Sequence, residues 1–119
     1  MNHDQIFNLD EALARVDHDR DILQTMAELF VEHGPKDLAD IKAALATRDT
    51  AAVARTAHRL KGAVLQFCAP AVFEATKTLE QVGKAGDLAS AVEAATLLEA
   101  EVLRLVAALR QELDKGLAA

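Results

Sequence analysis

Apolar residues recur along most of this chain at alternating spacings of three and four positions, the period of one face of an α-helix. The clearest case is the last part of the sequence, which keeps the pattern from just after Asp87 to about Lys115. Its apolar positions are Ala91, Ala95, Leu98, Val102, Leu105 and Leu109. No segment shows the strict alternation of a half-buried strand. The pattern predicts an all-α protein whose last helix has about 28 residues and is roughly 40 Å long.

Capping and helix-breaking residues divide this pattern into six predicted helices. Asn8 can cap the first helix, and Gly34-Pro35 is predicted to end the second and begin the third. The segments run from Phe7 to about Asp17, from about Asp19 to His33, from Pro35 to about Arg48, from the Asp49 cap to Phe67, from Pro70 to Gly86, and from the Asp87 cap to about Lys115.

Short connections between long amphipathic helices are typical of antiparallel neighbours, so we predict an up-down four-helix bundle with short accessory helices. The bundle helices are the second, fourth, fifth and sixth, or an equivalent set that includes the third. The chain has 119 residues and no low-complexity linker or internal repeat, which predicts one domain over residues 1–119.

The composition is that of a globular protein without a disulfide or a membrane-spanning segment. Hydrophobic residues make up 51% of the chain and charged residues 27%, as in ordinary globular domains, and the only aromatic residues are four Phe. Cys68 is the single cysteine, which excludes an internal disulfide and a cysteine-based metal site. The longest stretch without charge, Gly62 to Phe73, is too short to span a bilayer, and no secretory leader follows Met1. We therefore expect a cytoplasmic protein that binds no membrane.

The charge distribution separates one segment from the rest. The formal net charge of −6 disfavours nucleic acid as the main partner. Between Thr50 and Phe73, however, there is no acidic residue, whereas Arg55, Arg59 and Lys61 are basic. The fourth helix is thus a basic island on an acidic protein, although an uneven charge distribution is also common on plain solvated surface.

His58 lies on this helix, roughly 140° around the axis from the centre of the apolar stripe. The stripe consists of Val53, Ala57, Leu60, Val64 and Phe67. One turn away on either side are the small residues Ala54 and Gly62, so a large partner could reach the imidazole. A glycine within a helix costs about 1 kcal/mol relative to alanine, which indicates that Gly62 provides clearance. A single exposed histidine is nevertheless most often a surface residue without function.

The run His58-Arg-Leu-Lys-Gly62 resembles the His-x-x-Lys-Gly signature of histidine-containing phosphotransfer (HPt) domains. Phe30, Leu79-Glu80 and Gly86-Asp87-Leu88 also stand where that family has such residues. The resemblance implies a phosphorelay intermediate in which neutral His58 accepts a phosphoryl group from a receiver-domain aspartate and passes it to another receiver. Receiver domains of response regulators, and a hybrid sensor histidine kinase, are the implied partners. The resemblance also implies a monomer without a cofactor or metal of its own, because Mg²⁺ belongs to the receiver.

The same resemblance assigns supporting roles. Lys61, together with Arg59, would counter the charge of the phosphorylated ring, and Gly62 would leave room for the receiver. Ala54, Arg55 and Leu65 are candidate docking residues around the imidazole. Leu65 fits equally well as a core leucine slightly displaced from the apolar stripe.

The chain departs from the family pattern at two positions. Cys68 replaces a common glycine ten residues after the histidine, which predicts a changed geometry of the loop before Pro70. Glu80 replaces a common glutamine that hydrogen-bonds the imidazole. Its carboxylate could accept a hydrogen bond from the non-reacting ring N–H and fix the tautomer, or Glu80 could be an ordinary solvated residue.

Several alternatives remain open at this point. The chain could be the phospho-accepting domain of a chemotaxis-type kinase, or a helical adaptor that tolerates changes at His58. A kinase dimerisation domain is disfavoured because Arg59, rather than an acidic residue, follows the histidine and no Thr-Pro is nearby. A small-molecule enzyme is disfavoured because the sequence shows no acid–base set. His3, His18 and His33 lack the spacing of a metal site.

Overall fold

The structure is a computed structural model that describes residues 6–117 and folds them into helices without a strand. The five helices are α1 (Leu9–Arg15), α2 (Arg20–Ala46), α3 (Thr50–Leu65), α4 (Pro70–Lys84) and α5 (Leu88–Asp114). The predicted all-α class is confirmed. His3 lies outside the described residues.

The helix starts follow from capping side chains. Asn8 Oδ1 accepts from the Glu11 N–H at 3.0 Å, and Asp49 Oδ1 accepts from the Ala52 N–H at 3.0 Å. Asp87 caps α5 in the same way, and Pro70 opens α4, where its missing N–H is no loss. These starts agree with the sequence prediction.

The predicted break at Gly34-Pro35 is wrong, because α2 continues through both residues to Ala46. Its buried positions keep an unbroken helical spacing across the site of the expected break. They are Leu23, Ala27, Phe30, Gly34, Leu38, Ile41 and Ala44. Burial of this whole stripe offsets the cost of Pro35 in a helix interior, about 3 kcal/mol, which combines the missing hydrogen bond with the clash of the ring against the carbonyl four residues earlier. Six predicted helices therefore become five, and the short α1 is the accessory helix.

The remaining four helices form the bundle. α3 packs between α2 and α4, and α5 packs between the same two helices on the opposite side. The largest buried side chains of the shared core are mainly leucines and phenylalanines, among them Leu60, Leu79, Leu98 and Leu105. Phe30 and Phe67 meet edge to face with ring centroids 5.5 Å apart. The long helices α2 and α5 thus support the shorter hairpin of α3 and α4.

The backbones of α3 and α4 approach each other closely at Gly83. A Cβ atom placed there would lie 3.0 Å from both the Ala54 nitrogen and the Thr50 carbonyl oxygen. Nine in ten real Cβ contacts are longer than this, so any other residue here would require the two backbones to move apart by a few tenths of an ångström.

We expect Gly83→Ala to destabilise the protein by about 1–3 kcal/mol, because the new methyl group must push two backbones apart. The free energy of unfolding, measured by urea denaturation, tests this expectation. Gly62→Ala is the matched control. A Cβ atom at Gly62 meets nothing within 4 Å, so that change should raise stability by up to about 1 kcal/mol. Equal stability of Gly83→Ala and the wild type would contradict the packing argument.

Candidate functional site

His58 lies in the middle of α3 with 68% of its side chain exposed. The exposed face predicted from the helical spacing is therefore confirmed. The imidazole is not free to rotate, because its Nδ1 atom lies 2.8 Å from Oε2 of Glu80 on α4. The two residues are 22 positions apart and meet because α3 and α4 form an antiparallel hairpin.

Glu80 is buried, with only 6% of its side chain exposed. Lys61 Nζ donates to its Oε1 at 2.6 Å, and Lys84 Nζ donates to its Oε2 at 3.1 Å. The hydrogen bond from Lys61 is the main reason why the pKa of Glu80 falls to about 2, since it outweighs the opposing effect of burial. Glu80 is thus an ionised, fully engaged carboxylate, and the solvated glutamate that the sequence also allowed is excluded.

The charge state of Glu80 determines the tautomer of His58. An ionised carboxylate can only accept hydrogen bonds, so the short contact at Nδ1 requires a proton on that nitrogen. In the neutral ring, the lone pair then resides on Nε2, the other ring nitrogen. The geometry supplies a nucleophilic nitrogen on an exposed side chain, oriented by a buried anion.

Gly62 leaves open space beside the imidazole. A Cβ atom at this position would meet no atom within 4 Å, and the residue is exposed. The predicted clearance is therefore present. No packing requirement within the described chain explains a glycine here.

Lys61 and Arg59 take different positions, although both were predicted to counter the charge of the phosphorylated ring. Lys61 reaches Glu80 and so belongs to the cluster around His58. Arg59 instead donates to Asp37 at 2.6 Å and to Asp40 at 3.3 Å, both on α2. The hydrogen bond and negative charge of Asp37 raise the pKa of the Arg59 guanidinium. The predicted charge-countering role of Arg59 gains no support from this geometry, because two carboxylates on the neighbouring helix hold its charge.

The candidate docking residues also differ in placement. Arg55 is exposed. Leu65 is 44% exposed, so it is not a core leucine. Leu65 lines a shallow cavity of about 290 Å³ together with Phe73 and Pro70. Ala54 is only 6% exposed, so its prediction as an accessible docking residue is wrong. The close approach of Gly83 brings α4 over Ala54 and covers it.

Lys84 was missed by the sequence analysis. It follows Glu80 by four residues on α4, and a glutamate four residues before a lysine is a recognised ion-pair spacing on helices. This signal was available in the sequence. It carried no weight there because the burial of Glu80 was not known.

Cys68 adopts a φ of +53°, the left-handed region that favours glycine. The residue thus takes the conformation that a glycine would adopt easily, at a strain of about 1 kcal/mol. Its carbonyl accepts from the Asn8 N–H at 3.1 Å, which attaches the start of α1 to the end of α3. Burial raises the pKa of its thiol.

Comparisons with known proteins relate the chain to one family and to one solved fold. A family model described as "Hpt domain" matches residues 25–115. The crystal structure of histidine-containing phosphotransfer protein B from Pseudomonas aeruginosa PAO1 superposes with a TM-score of 0.84 and 23% sequence identity. The match covers 92% of this chain and 95% of that one, and so relates the two folds. No curated protein sequence matches the chain. No helix within residues 6–117 is both long and apolar enough to cross a membrane.

Proposed function

Because the chain belongs to the Hpt domain family, whose role is histidine phosphotransfer in phosphorelays, we propose that His58 is its phosphoryl acceptor. The donor in this proposal is an aspartyl phosphate on a receiver domain, and a second receiver takes the group onward. The observation that carries the proposal is the 2.8 Å contact between His58 Nδ1 and ionised Glu80, which leaves the Nε2 lone pair for attack.

The proposed transfer breaks one bond and forms one. The Nε2 lone pair attacks the phosphorus atom, the bond from phosphorus to the aspartate oxygen breaks, and the aspartate leaves as a carboxylate. The proton on Nδ1 stays in place. The ring therefore becomes positively charged as the N–P bond forms, and Glu80 offsets that charge. In the return step, an aspartate carboxylate of the second receiver attacks the same phosphorus atom.

The proposed docking face surrounds the exposed imidazole. Gly62 provides the clearance, Leu65 an apolar contact, and Arg55 a positive charge near an acidic receiver site. We expect Mg²⁺ to be supplied by the receiver. The proposal places the chain in the cytoplasm as a monomer, with a hybrid sensor histidine kinase as the source of phosphoryl groups and neither nucleic acid nor membrane as a partner.

A transfer assay tests the proposal. Receiver domains are phosphorylated with labelled phosphate, mixed with the protein, and the label on the protein is followed for the wild type and for His58→Gln. We expect acid-labile, alkali-stable label on the wild type and none on His58→Gln, whose circular dichroism spectrum should remain helical. The control His33→Gln changes another exposed histidine, on α2, and should label normally.

Two outcomes would contradict the proposal. Label on His58→Gln equal to that on the wild type would place the acceptor elsewhere. A folded wild type that takes label from no cognate receiver would favour a helical adaptor, in which His58 is dispensable.

A further inference from the structure

Lys84 shares one carboxylate oxygen with the reacting histidine. Its Nζ lies 3.1 Å from Glu80 Oε2, and the same atom lies 2.8 Å from His58 Nδ1. The other oxygen, Oε1, accepts from Lys61. One buried carboxylate therefore holds two ammonium groups and the imidazole at once.

The charges in this cluster do not cancel. Lys61 alone would neutralise Glu80, so Lys84 leaves the surroundings of the imidazole with one surplus positive charge. The other charged groups near the ring do not remove it. Arg55 on α3 is also positive, and the charge of Arg59 is held by carboxylates of α2.

Two electrophiles compete for Nε2 in the proposed function. A proton adds one positive charge to the cluster and blocks the lone pair. A transferred phosphoryl group adds one net negative charge, because it arrives as PO3⁻ while the Nδ1 proton stays. A surplus positive charge disfavours the first and favours the second.

We propose that Lys84 is a positioning residue that acts through Glu80 to make the site select a phosphoryl group over a proton. The proposal rests on the proposed function for the identity of the second electrophile. Lys84 is suited to this role because 68% of its side chain is exposed. Its ammonium group therefore stays hydrated whether the ring is neutral, protonated or phosphorylated.

The expected size follows from the shared oxygen. Two nitrogens bound to one atom at these distances are no more than about 6 Å apart, and two unit charges at that separation in a water-like dielectric change an equilibrium about threefold. Loss of Lys84 should therefore favour the proton about threefold. Phosphorylation places one positive charge on the ring near Lys84 and two negative charges on phosphoryl oxygens beyond Nε2, and these effects partly cancel. The phosphoryl group should therefore be disfavoured by only about 1.5- to twofold, and the preference between the two would change about fivefold, and less at high salt.

The proton arm of the test uses nitrogen-15 NMR of the His58 ring in the wild type, Lys84→Met, Lys84→Arg and Lys77→Met. At about pH 6.5, near the midpoint of a free imidazole, we expect the ratio of doubly protonated to neutral rings to rise about threefold in Lys84→Met only. Lys84→Arg keeps the charge and should match the wild type. Lys77→Met removes another exposed lysine of α4, which tests for a general charge effect.

The phosphoryl arm measures the equilibrium constant of transfer from a cognate phosphorylated receiver to the same four proteins. We expect it to fall about 1.5- to twofold in Lys84→Met and to recover in Lys84→Arg. The proposal is overturned if either arm is unchanged in Lys84→Met, or if Lys77→Met changes both arms as much.

A small donor separates this proposal from the proposed function. Phosphoramidate can phosphorylate a histidine without a receiver, with ammonia as the leaving group. If phosphoramidate labels His58 but no receiver does, the proposed function fails and the phosphoryl arm is completed with phosphoramidate. The labelling of the wild type and of Lys84→Met is then compared at pH values that give both proteins the same fraction of neutral His58 rings. Equal labelling would overturn the proposal that Lys84 favours the phosphoryl group.

Discussion

Gly62→Leu is expected to fold as stably as the wild type and yet to lose transfer from receivers by about a hundredfold. Leucine has a better helix propensity than glycine, and the site of its Cβ atom is open, so nothing within the described chain opposes the change. The same side chain would project into the space that a receiver must enter beside His58. A displacement of the reacting atoms by only about 1 Å can lower a rate about a hundredfold.

The measurement compares a large donor with a small one. Transfer from a phosphorylated receiver should fail in Gly62→Leu, whereas labelling by phosphoramidate should stay within a few-fold of the wild type. Gly62→Ala is the graded control, since its single methyl group should impair receiver transfer much less. A Gly62→Leu protein that accepts from receivers at the wild-type rate would show that the clearance has no role in docking.

Glu80→Ala is expected to lower labelling of His58 about ten- to a hundredfold with both kinds of donor, by analogy with the loss of the hydrogen-bond partner that orients a metal-binding histidine. Without the carboxylate, Nδ1 has no acceptor and the neutral ring distributes its proton between both nitrogens. Lys61 and Lys84 then remain beside the ring without their shared anion. The failure with phosphoramidate distinguishes this variant from Gly62→Leu, in which only the receiver is excluded.

Two further variants sharpen the test of Glu80. Glu80→Gln keeps an oxygen that can accept from Nδ1 and should retain more activity than Glu80→Ala. Glu93→Ala, an exposed glutamate on α5, should label normally. The tautomer can be followed directly by nitrogen-15 NMR, and an unchanged preference for the Nδ1 proton in Glu80→Ala would refute the orienting role.

The fold was largely predictable because most of its determinants are local. The capping side chains of Asn8, Asp49 and Asp87 and the helical spacing of apolar residues identify the helix starts from the sequence alone. The error at Gly34-Pro35 has a physical cause. A local rule predicts a break there, but the stripe that continues through Gly34 is buried by helices distant in sequence, and that burial prevails.

The features of the site that depend on α3 alone were predictable from the sequence. The features that depend on contacts with neighbouring helices were not. The angular position of His58 and Gly62 on α3 follows from one helix and agrees with the structure. Arg59 and Ala54 share that helix, but their surroundings are set by α2 and α4, which angular spacing does not describe. Lys84 escaped notice for the same reason, because its importance derives from a buried partner.

The close approach at Gly83 limits how much the distance between the His58 imidazole and the Glu80 carboxylate can vary. Gly83 follows Glu80 by almost one turn of α4, and its neighbour Ala54 precedes His58 by about one turn of α3. A contact between two helix backbones yields much less than a contact between two flexible side chains. The close backbone approach one turn away thus fixes the distance between the two helices beside the imidazole and the carboxylate. The two side chains can therefore meet with only small fluctuations in their separation.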